Sequence, residues 1–505
     1  MNRAEDEKTG RREDESRGSA FAGGVRASTL AVLLWVAPAV GAQQTRQLTL
    51  RDAIALAQTQ SLQARSAIRT RDASRDRDRA YGASLLPQVS LTGNIPVYNR
   101  SIIPVLQPDG STLFRAQQQT QSSLSMRVTQ QLPYLGGQMF FASALSRLNV
   151  VGERSTQTWS STPYQVGITQ NLLRSNNAAW DAQEHDITAD VAERQYLEAR
   201  EDVAIAATSA FFDFYAAKAS LANARSNVAS NDSLFTLNKG RFEVGKIGEN
   251  DLQQSELTLL RAQSSLDAAQ LEYDRALAAL RLQLNLPLTA DIDVVVTSDV
   301  PAVRPDTALA VVQALKNSSV VRGLDLQTEQ ARRRVSEARL NTGFGASISA
   351  SVGFNQTGSD ANLVYKNLLQ AQQYSVSVSA PLWQWGGRTA TIDAARADQE
   401  RTDASAVLTR QQTVQDAHFA ALQLSQASRL LAIAAKADTV AASRFEVAKN
   451  RYAIGRIAIN DLVIAQNDKD ASLLSYVQSL RAYWTAYYRL RRLTLYDFEK
   501  GGPLR

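Results

Sequence analysis

A twelve-residue segment occurs twice in this chain, 210 residues apart, and this duplication limits the possible folds more than any other feature. Residues 241–252 read RFEVGKIGENDL, and residues 451–462 read RYAIGRIAINDL. Six of these twelve positions are identical, and the same offset continues without a gap as far as Leu280 and Leu490. Similarity at a fixed spacing indicates a repeated structural unit. The chain is therefore expected to fold as one duplicated unit rather than as unrelated domains.

The boundaries of the two repeats follow from local composition. Residues 285–305 are rich in Pro, Asp and Val and are predicted to link a first repeat at 43–284 to a second repeat at 306–496. Residues 497–505 are left as a C-terminal tail. Each repeat is predicted to run in the order helix, strands, very long helix, turn and long helix.

The long helices are predicted from apolar residues at alternating steps of four and three. In the first repeat they are Val203, Ala207, Ala210, Phe214, Ala217, Leu221, Ala224 and Val228. This 3.5-residue period is typical of a seam along which a second helix packs. We expect helices at about 177–241 and 387–452, within hairpins at 177–284 and 387–495. At 1.5 Å per residue, each such helix would be roughly 95 Å long.

The predicted strands show a different periodicity, with apolar residues at every second position. They fall at about 88–172 in the first repeat and at about 346–382 in the second. Runs of about ten residues with one apolar face suit tilted strands that have lipid on one side and water on the other. The same pattern suits a half-exposed sheet of a soluble protein.

The N-terminal residues resemble a targeting segment. A charged stretch is followed by an apolar run from Thr29 to Val40, and Val40-Gly41-Ala42 supplies small residues before a cleavage point. Residues 1–42 are therefore predicted to be a secretory signal peptide with a charged leader, and translation could also begin near Val25. The sequence has no other long apolar segment, so the mature chain is expected to be soluble in the periplasm or inserted in an outer membrane as strands.

Composition argues against several classes of function. The chain has no cysteine and only two histidines, His185 and His418, and neither lies in a recognisable metal or nucleophile motif. We therefore expect no metal, no cofactor and no enzymatic activity. The net charge of +6 is small and spread along the chain, whereas nucleic-acid binding needs a concentrated basic face.

The combination of features resembles the TolC family of outer membrane efflux and secretion channels. The resemblance covers Leu48 to about Tyr496 and depends on four elements: the duplication, the Gly-x-x-x-x-Asn-Asp-Leu turns, the opening segment 48–56, and segment 84–90, which leads into the first strand. It implies a mainly α fold with transmembrane β-strands: a homotrimer in which a β-barrel in outer membrane lipid joins a long α-helical barrel in the periplasm of a Gram-negative-type cell.

The resemblance also implies a function and partners. It implies passive export within a tripartite efflux pump or a type I secretion system, with a periplasmic adaptor and an inner-membrane transporter of RND, ABC or MFS type. Two strands per repeat would give twelve in a trimer, and an additional hairpin around residues 132–137 would give eighteen. The alternative is a secreted periplasmic coiled-coil scaffold without a pore.

The repeated turns hold the candidate functional residues. Gly245 and Gly455 are expected to end the long helices in a left-handed conformation. Asn250-Asp251 and Asn460-Asp461 are then predicted to begin the returning helices as N-caps, with Asp251 and Gln254 as a possible capping box. In a trimer, six carboxylates from Asp251 and Asp461 would lie near one axis and attract cations.

The resemblance assigns further roles to these positions. It implies that Asp461 contributes to a constriction, and that Asp251 and Tyr452 join a polar lock between helices. Ile464 stands where a second constriction aspartate is expected, and Ile457 where an arginine is common, which favours a more apolar gate. The candidates for adaptor contact are Val244, Gly245, Lys246, Ile454, Gly455 and Arg456.

Two aromatic groups have competing interpretations. Trp383 and Trp385 flank the last strand and could form part of an aromatic belt at the membrane–water boundary, or could pack between strands and helix. Residues 483–488 carry four aromatic side chains at helical spacing, which favours packing between helices over a ligand site.

Overall fold

The computed structural model describes residues 46–151, 155–296, 300–301 and 303–504, which belong to one unit of the chain. The signal peptide predicted at residues 1–42 lies outside the described residues.

The first repeat contains two short helices, five strands and a helical hairpin. In chain order these elements are β1 (Arg46–Leu48), α1 (Leu50–Gln60), α2 (Leu62–Ser84), β2 (Gln88–Leu106), β3 (Thr112–Leu132), β4 (Gly137–Val151), β5 (Thr156–Leu172), α3 (Asn177–Glu243) and α4 (Glu249–Gln283).

The rest of the chain has the same order of helices, and two strands rather than four lie between its short helices and its hairpin. Its elements are β6 (Ile292–Val294), α5 (Thr307–Asn317), α6 (Ser319–Asn341), β7 (Gly345–Gly358), β8 (Leu369–Ser379), α7 (Gly387–Ala453), α8 (Ile459–Thr494), β9 (Tyr496–Asp497) and β10 (Gly502–Pro503). A 3₁₀ turn at Leu363–Tyr365 lies between β7 and β8.

The opening helix of each repeat is divided in two by a serine. Ser61 and Ser318 both have extended backbone, and each hydroxyl accepts a hydrogen bond from the first turn of the next helix. Serine at this position caps a helix by replacing a missing backbone partner. The sequence predicted a single helix at each place, and the local competition of the serine side chain explains the break.

Six strands form one antiparallel sheet among the described residues, in the order β2-β3-β4-β5-β7-β8. Short connections link β2 through β5, whereas β5 and β7 are neighbours although α3 to α6 lie between them in the chain, and β2 and β8 form the edges of the sheet. The additional hairpin suggested near residues 132–137 is the β3–β4 connection. The first repeat therefore supplies four strands, and the second supplies two.

The register places apolar side chains on one face of this sheet. One row across five strands consists of Val89, Val128, Phe141, Val166 and Val352. The next row along the register carries polar or small residues, namely Ser90, Arg127, Ala142, Gln165 and Gly353. Alternation of this kind gives the sheet one apolar face and one polar face.

The two longest helices, α3 and α7, have 67 residues each. A helix of this length extends about 100 Å. The predicted seam on α3 is confirmed, because Val203, Ala207, Phe214, Leu221 and Ala224 are buried. Small alanines along the seam allow neighbouring helices to approach closely.

The main core lies where the two repeats meet. Phe211, Phe212 and Phe214 of α3 are buried with Tyr483 and Leu490 of α8. The aromatic residues at 483–488 pack on one another, with ring centroids 5.1–6.1 Å apart. The prediction that these rings serve helix packing is confirmed.

Within the described residues, none of the helices combines the length and the apolar character needed to cross a membrane.

Candidate functional site at the hairpin tips

The two hairpin tips, residues 241–252 and 451–462, have the same backbone turn. Gly245 has φ +71° and Gly455 has φ +73°, as the sequence predicted. In the first tip the amide of Gly245 donates to the carbonyl of Phe242 (2.8 Å), and the amide of Lys246 donates to the carbonyl of Arg241 (2.8 Å). This pair of bonds defines a Schellman motif, which satisfies carbonyls at the end of a helix.

The second tip repeats both bonds. Gly455 donates to the carbonyl of Tyr452 at 2.9 Å, and Arg456 donates to the carbonyl of Arg451 at 2.9 Å. A Cβ on either turn glycine would have no atom within 4 Å, so the left-handed backbone, and not crowding, is what favours glycine here.

The predicted N-caps at the start of the returning helices are wrong. The N-cap of α4 is Gly248 and that of α8 is Ala458, and neither helix has a side-chain capping bond. Asn250 and Asn460 are instead the second residues of these helices, and the capping box of Asp251 with Gln254 does not form. The turn is tighter than expected, because the helix resumes only four residues after each turn glycine.

Asp251 and Asp461 occupy the third position of their helices, with exposed side chains. Their carboxylates lie in the first turn, where the helix dipole favours negative charge. The physical reason for an acid at this position is therefore electrostatic rather than a direct cap.

The exposed tip surface contains all six residues predicted for adaptor contact. Val244 and Ile454 are the apolar members of this set, and Lys246 and Arg456 are the basic ones. Each tip thus presents one aliphatic side chain beside one cation.

A buried hydrogen bond joins the two hairpins just above the tips. The hydroxyl of Tyr452 donates to Oδ1 of Asn238 at 2.9 Å, and both side chains are buried. Arg241 reinforces this link: its guanidinium lies 5.6 Å from the Tyr452 ring and donates to the carbonyl of Ala453 at 3.3 Å. The resemblance implied Asp251 as a member of this lock, but the partner of Tyr452 in this chain is Asn238.

An apolar cluster surrounds the Tyr452 ring. It consists of Phe445, Ala448, Tyr452, Leu462 and Ala465, with Leu234, Ile457 and Ile459 at its border. Ile457, which stands where an arginine was expected, is thus part of a packed contact between hairpins. Ile464 is 51 % exposed, one helical turn beyond Asp461. Residues three apart share a helix face, so Asp461 and Ile464 point to the same side.

A polar cleft lies farther up between α3, α4 and α8. It has a volume of about 380 Å³, and its lining includes Asn223, Asn227, Arg261, Gln466 and Asp470. The amide of Asn227 donates to the Asp470 carboxylate at 2.6 Å. The described part of the chain contains no cluster of histidine and carboxylate side chains that could hold a metal ion.

The sequence patterns did not reveal a buried ion pair near the top of the core. The guanidinium of Arg491 lies 3.1 Å from the carboxylate of Glu201, which is almost completely buried, and 3.3 Å from that of Asp497. Burial raises the pKa of Glu201, and the charge of Arg491 offsets part of this shift. Because 290 residues separate the partners, no local motif could have indicated this pair.

The aromatic pair at the end of β8 is exposed. Trp383 and Trp385 are 73 % and 89 % exposed, with ring centroids 5.4 Å apart. Tyr134, in the β3–β4 turn at the same edge of the sheet, is also exposed. Packing of the two tryptophans between strands and helix is therefore not observed within this single chain.

The structure combines long paired helices with a sheet that is apolar on one face. Residues 310–494 match the family described as Outer membrane efflux protein. No curated protein matches the chain. This match covers most of the second repeat, and the predicted resemblance to TolC family channels is confirmed.

Solved structures support the same fold over most of the chain. The CmeC outer membrane channel of Campylobacter jejuni matches with a TM-score of 0.63 and 14 % identity, covering 88 % of this chain and 85 % of that one. The outer membrane protein VceC of Vibrio cholerae matches with a TM-score of 0.62 and 12 % identity, covering 90 % and 97 %. The open state of the MtrE channel of Neisseria gonorrhoeae gives 0.58 and 14 %, covering 88 % of each.

These matches are to channel proteins and not to enzymes, as the sequence predicted. They show that the chain has the fold of these outer membrane proteins.

Proposed function

We propose that three copies of this chain form a continuous export duct, in which the sheets close a β-barrel in the outer membrane and the long helices close an α-helical barrel across the periplasm. The observation that carries the proposal is the apolar outer face of a sheet whose edge strands β2 and β8 each have one partner within the described chain. In lipid, every backbone group must be paired, so these edges need further strands. Neighbouring copies supply them.

The exposure of the strands supports a lipid contact. Val89, Leu91, Tyr374, Val376 and Val378 are each more than half exposed, although they lie in regular strands. An apolar patch of this extent would be unfavourable in water. The exposed Trp383 and Trp385 then serve as an aromatic belt at the periplasmic boundary.

The helices supply the reach of the duct. Each copy contributes two hairpins, and three copies bring six tips to one end. At the end of the duct farthest from the membrane, these tips carry six carboxylates from Asp251 and Asp461, which favour the passage of cations. Ile464 adds an apolar ring one turn above Asp461, so the closed state relies on apolar contact as well as charge.

The tips are also the docking surface for a periplasmic adaptor. The aliphatic and basic side chains at Val244, Lys246, Ile454 and Arg456 suit a partner surface with apolar and acidic groups. An inner-membrane transporter of RND, ABC or MFS type delivers the substrate and supplies the energy, and the duct conducts passively. The helical barrel lies in the periplasm.

Fractionation and conductance test this function. We expect the mature protein to require detergent, to run as a trimer and to form conducting channels in planar bilayers. A monomer that is soluble in water and leaves bilayers non-conducting would refute the duct and would support a periplasmic scaffold instead.

The role of the tip carboxylates has a separate test. Asp461→Asn and Asp251→Asn should each reduce the cation preference of the open channel, measured as a reversal potential in a salt gradient. Asp267→Asn, on the exposed side of α4 away from the tip, is the matched control and should leave it unchanged. Unchanged selectivity in both tip variants would exclude an electrostatic gate.

A further inference from the structure

The lower edge of the sheet, defined here as the edge next to the helices, crosses the strands at a slant. A line along the register from the first residue of β2 passes through Gln88, Thr129, Phe140, Gly167, Ser351 and Gln373. Below this line β3 continues for three residues to Leu132, β5 for five to Leu172, and β8 for six to Ser379. The strand ends thus descend steadily from one edge of the sheet to the other.

A steady descent is the geometry of strands that tilt together in a barrel wall. If the lower ends lie at one level of the membrane, the stagger is six residues over the six strands of a copy. With about 3.4 Å per residue and about 4.8 Å between strands, this stagger corresponds to a tilt of about 35°. Closed barrels have tilts of about 35–45°, so the slant of this sheet suits closure.

We propose that β8 of one copy pairs with β2 of the next copy, with Ser379 opposite Gln88, so that three copies close an eighteen-stranded barrel. The proposal rests on the three-copy duct proposed above and adds the register and the strand number. The pairing is antiparallel, because β2 leaves the lower edge of the sheet and β8 returns to it.

The side chains agree with this register. It places Val378 opposite Val89 and Val376 opposite Leu91, and all four are exposed on the apolar face. The alternate positions pair Ser377 with Ser90 on the inner face. A shift of the register by one residue would set each apolar side chain beside a polar one. Only staggers of an even number of residues therefore keep the apolar side chains of both copies on the same face.

The upper part of β2 fits the same arrangement. β8 extends ten residues above Ser379, to Leu369, whereas β2 extends eighteen residues above Gln88, to Leu106. The last part of β2 therefore has no partner in β8. Pro104 lies in this unpaired part, whereas Pro96, at the bulge between Asn94 and Val97, lies opposite β8 and interrupts the pairing there.

The strand number sets the width of the passage. Eighteen strands at this tilt give a backbone diameter of about 34 Å, against about 23 Å for twelve strands. A barrel of this size keeps a water-filled lumen. The membrane part would then admit solutes of up to about 20 Å across. The hairpin tips, rather than the barrel, would therefore limit the size of the solutes that pass.

Disulfide trapping tests the register. Because the chain contains no cysteine, the introduced cysteines have no native thiol with which to pair. Val376→Cys is combined in turn with Leu91→Cys, Val89→Cys and Gly93→Cys, which would lie opposite it at staggers of six, four and eight. Residues directly opposite have Cα atoms about 4.5–5.5 Å apart, within reach of a disulfide. We expect the Leu91 pair to give covalent dimers and trimers in high yield, and the other two pairs to give little.

Two controls keep the result interpretable. Leu91→Cys with Met126→Cys, which face each other within one chain, should form a disulfide without linking copies. If the Val376 pair impairs assembly, Val378→Cys with Val89→Cys tests the same register. Preferential linkage at the Val89 or Gly93 pair would overturn the stagger of six.

Counting strands tests the closure. An electron microscopy map of the trimer in lipid should show eighteen strands in the wall. A conducting trimer with twelve strands would overturn this inference and leave the export duct intact. A protein that neither trimerises nor conducts would overturn the export duct itself.

Discussion

Residues 241–252 and residues 451–462 form the same turn, but their equivalent side chains differ in burial. Tyr452 is 5 % exposed, whereas its counterpart Phe242 is 39 % exposed. Leu462 is 2 % exposed, and its counterpart Leu252 is only half-buried. The second tip packs on Leu234 and Asn238 of α3 in its own chain. The equivalent contact for the first tip would come from α7 of a neighbouring copy.

This comparison separates two sources of structure. The turn backbone follows from local sequence, since both glycines adopt it whatever surrounds them. Burial of the tip side chains depends on which helix packs against the turn. Within one chain, only the second tip has such a neighbouring helix, α3. Within the chain, the hydrogen bond between Tyr452 and Asn238 fixes the contact between the second tip and α3. The equivalent positions, Phe242 and Ala448, which would meet across the boundary with the next copy, are both apolar.

The largest difference between the tips is expected at the buried leucine. Leu462→Ala should lower the free energy of local opening at the second tip by about 2–5 kcal/mol, because it leaves a cavity in the cluster around Tyr452. Hydrogen exchange of the α7–α8 tip amides measures this loss. Unchanged exchange would contradict the packed cluster. A similar loss from Leu252→Ala would show that a neighbouring copy covers the first tip.

The hydroxyl of Tyr452 should give the next largest effect. Tyr452→Phe leaves the buried Asn238 without its donor and should cost about 1–3 kcal/mol. We expect faster exchange near the second tip and more frequent opening in single-channel records. The reciprocal change, Phe242→Tyr, should stay within about 0.5 kcal/mol, because its side chain is partly exposed. Equal responses from the two variants would remove the distinction between the tips.

The turn glycines should respond alike, since the backbone is shared. Gly245→Ala and Gly455→Ala should each cost about 1–2 kcal/mol, because other residues resist a positive φ. Gly240→Ala is the matched control, since Gly240 lies inside α3 with open space around it, and should stabilise the helix by about 0.5–1 kcal/mol. Thermal melting in detergent with hydrogen exchange compares the three variants. A cost at one tip alone would contradict the shared turn.

The smallest effects are expected at the first-turn carboxylates. Asp251→Asn and Asp461→Asn should each lose about 0.3–1 kcal/mol of helix–dipole stabilisation. The loss should shrink in about 1 M salt, where the screening length is about 3 Å. Melting at low and high salt measures it. A loss that does not depend on salt would indicate a side-chain cap instead of a charge effect.

Much of the fold could be predicted because its determinants are periodic. The seam through Val203 and Leu221 indicated the long helices, and the alternation around Val89 and Leu124 indicated the strands. The breaks at Ser61 and Ser318 were missed, because one serine can continue a helix or cap the next one. The start of α4 was misplaced by two residues, because Gly248 satisfies the cap position without a side-chain bond.

The candidate site was predictable only in its local part. The left-handed glycines and the exposed tip residues follow from the repeated segment itself. The partner of Tyr452 does not, since Asn238 lies 214 positions away and meets it only through helix packing. The Glu201–Arg491 pair was missed for the same reason. Contacts between repeats depend on the rotation of one helix against another, which a single periodic pattern leaves open.

The identical lengths of α3 and α7 have a consequence for how such chains can change over time. Both helices count 67 residues, so they have the same length. Two added heptads in one helix alone would displace one turn by about 21 Å and leave neighbouring ends out of step. We therefore expect insertions and deletions in these helices to be tolerated as matched pairs in the two repeats, so that the length of one helix constrains the length of the other.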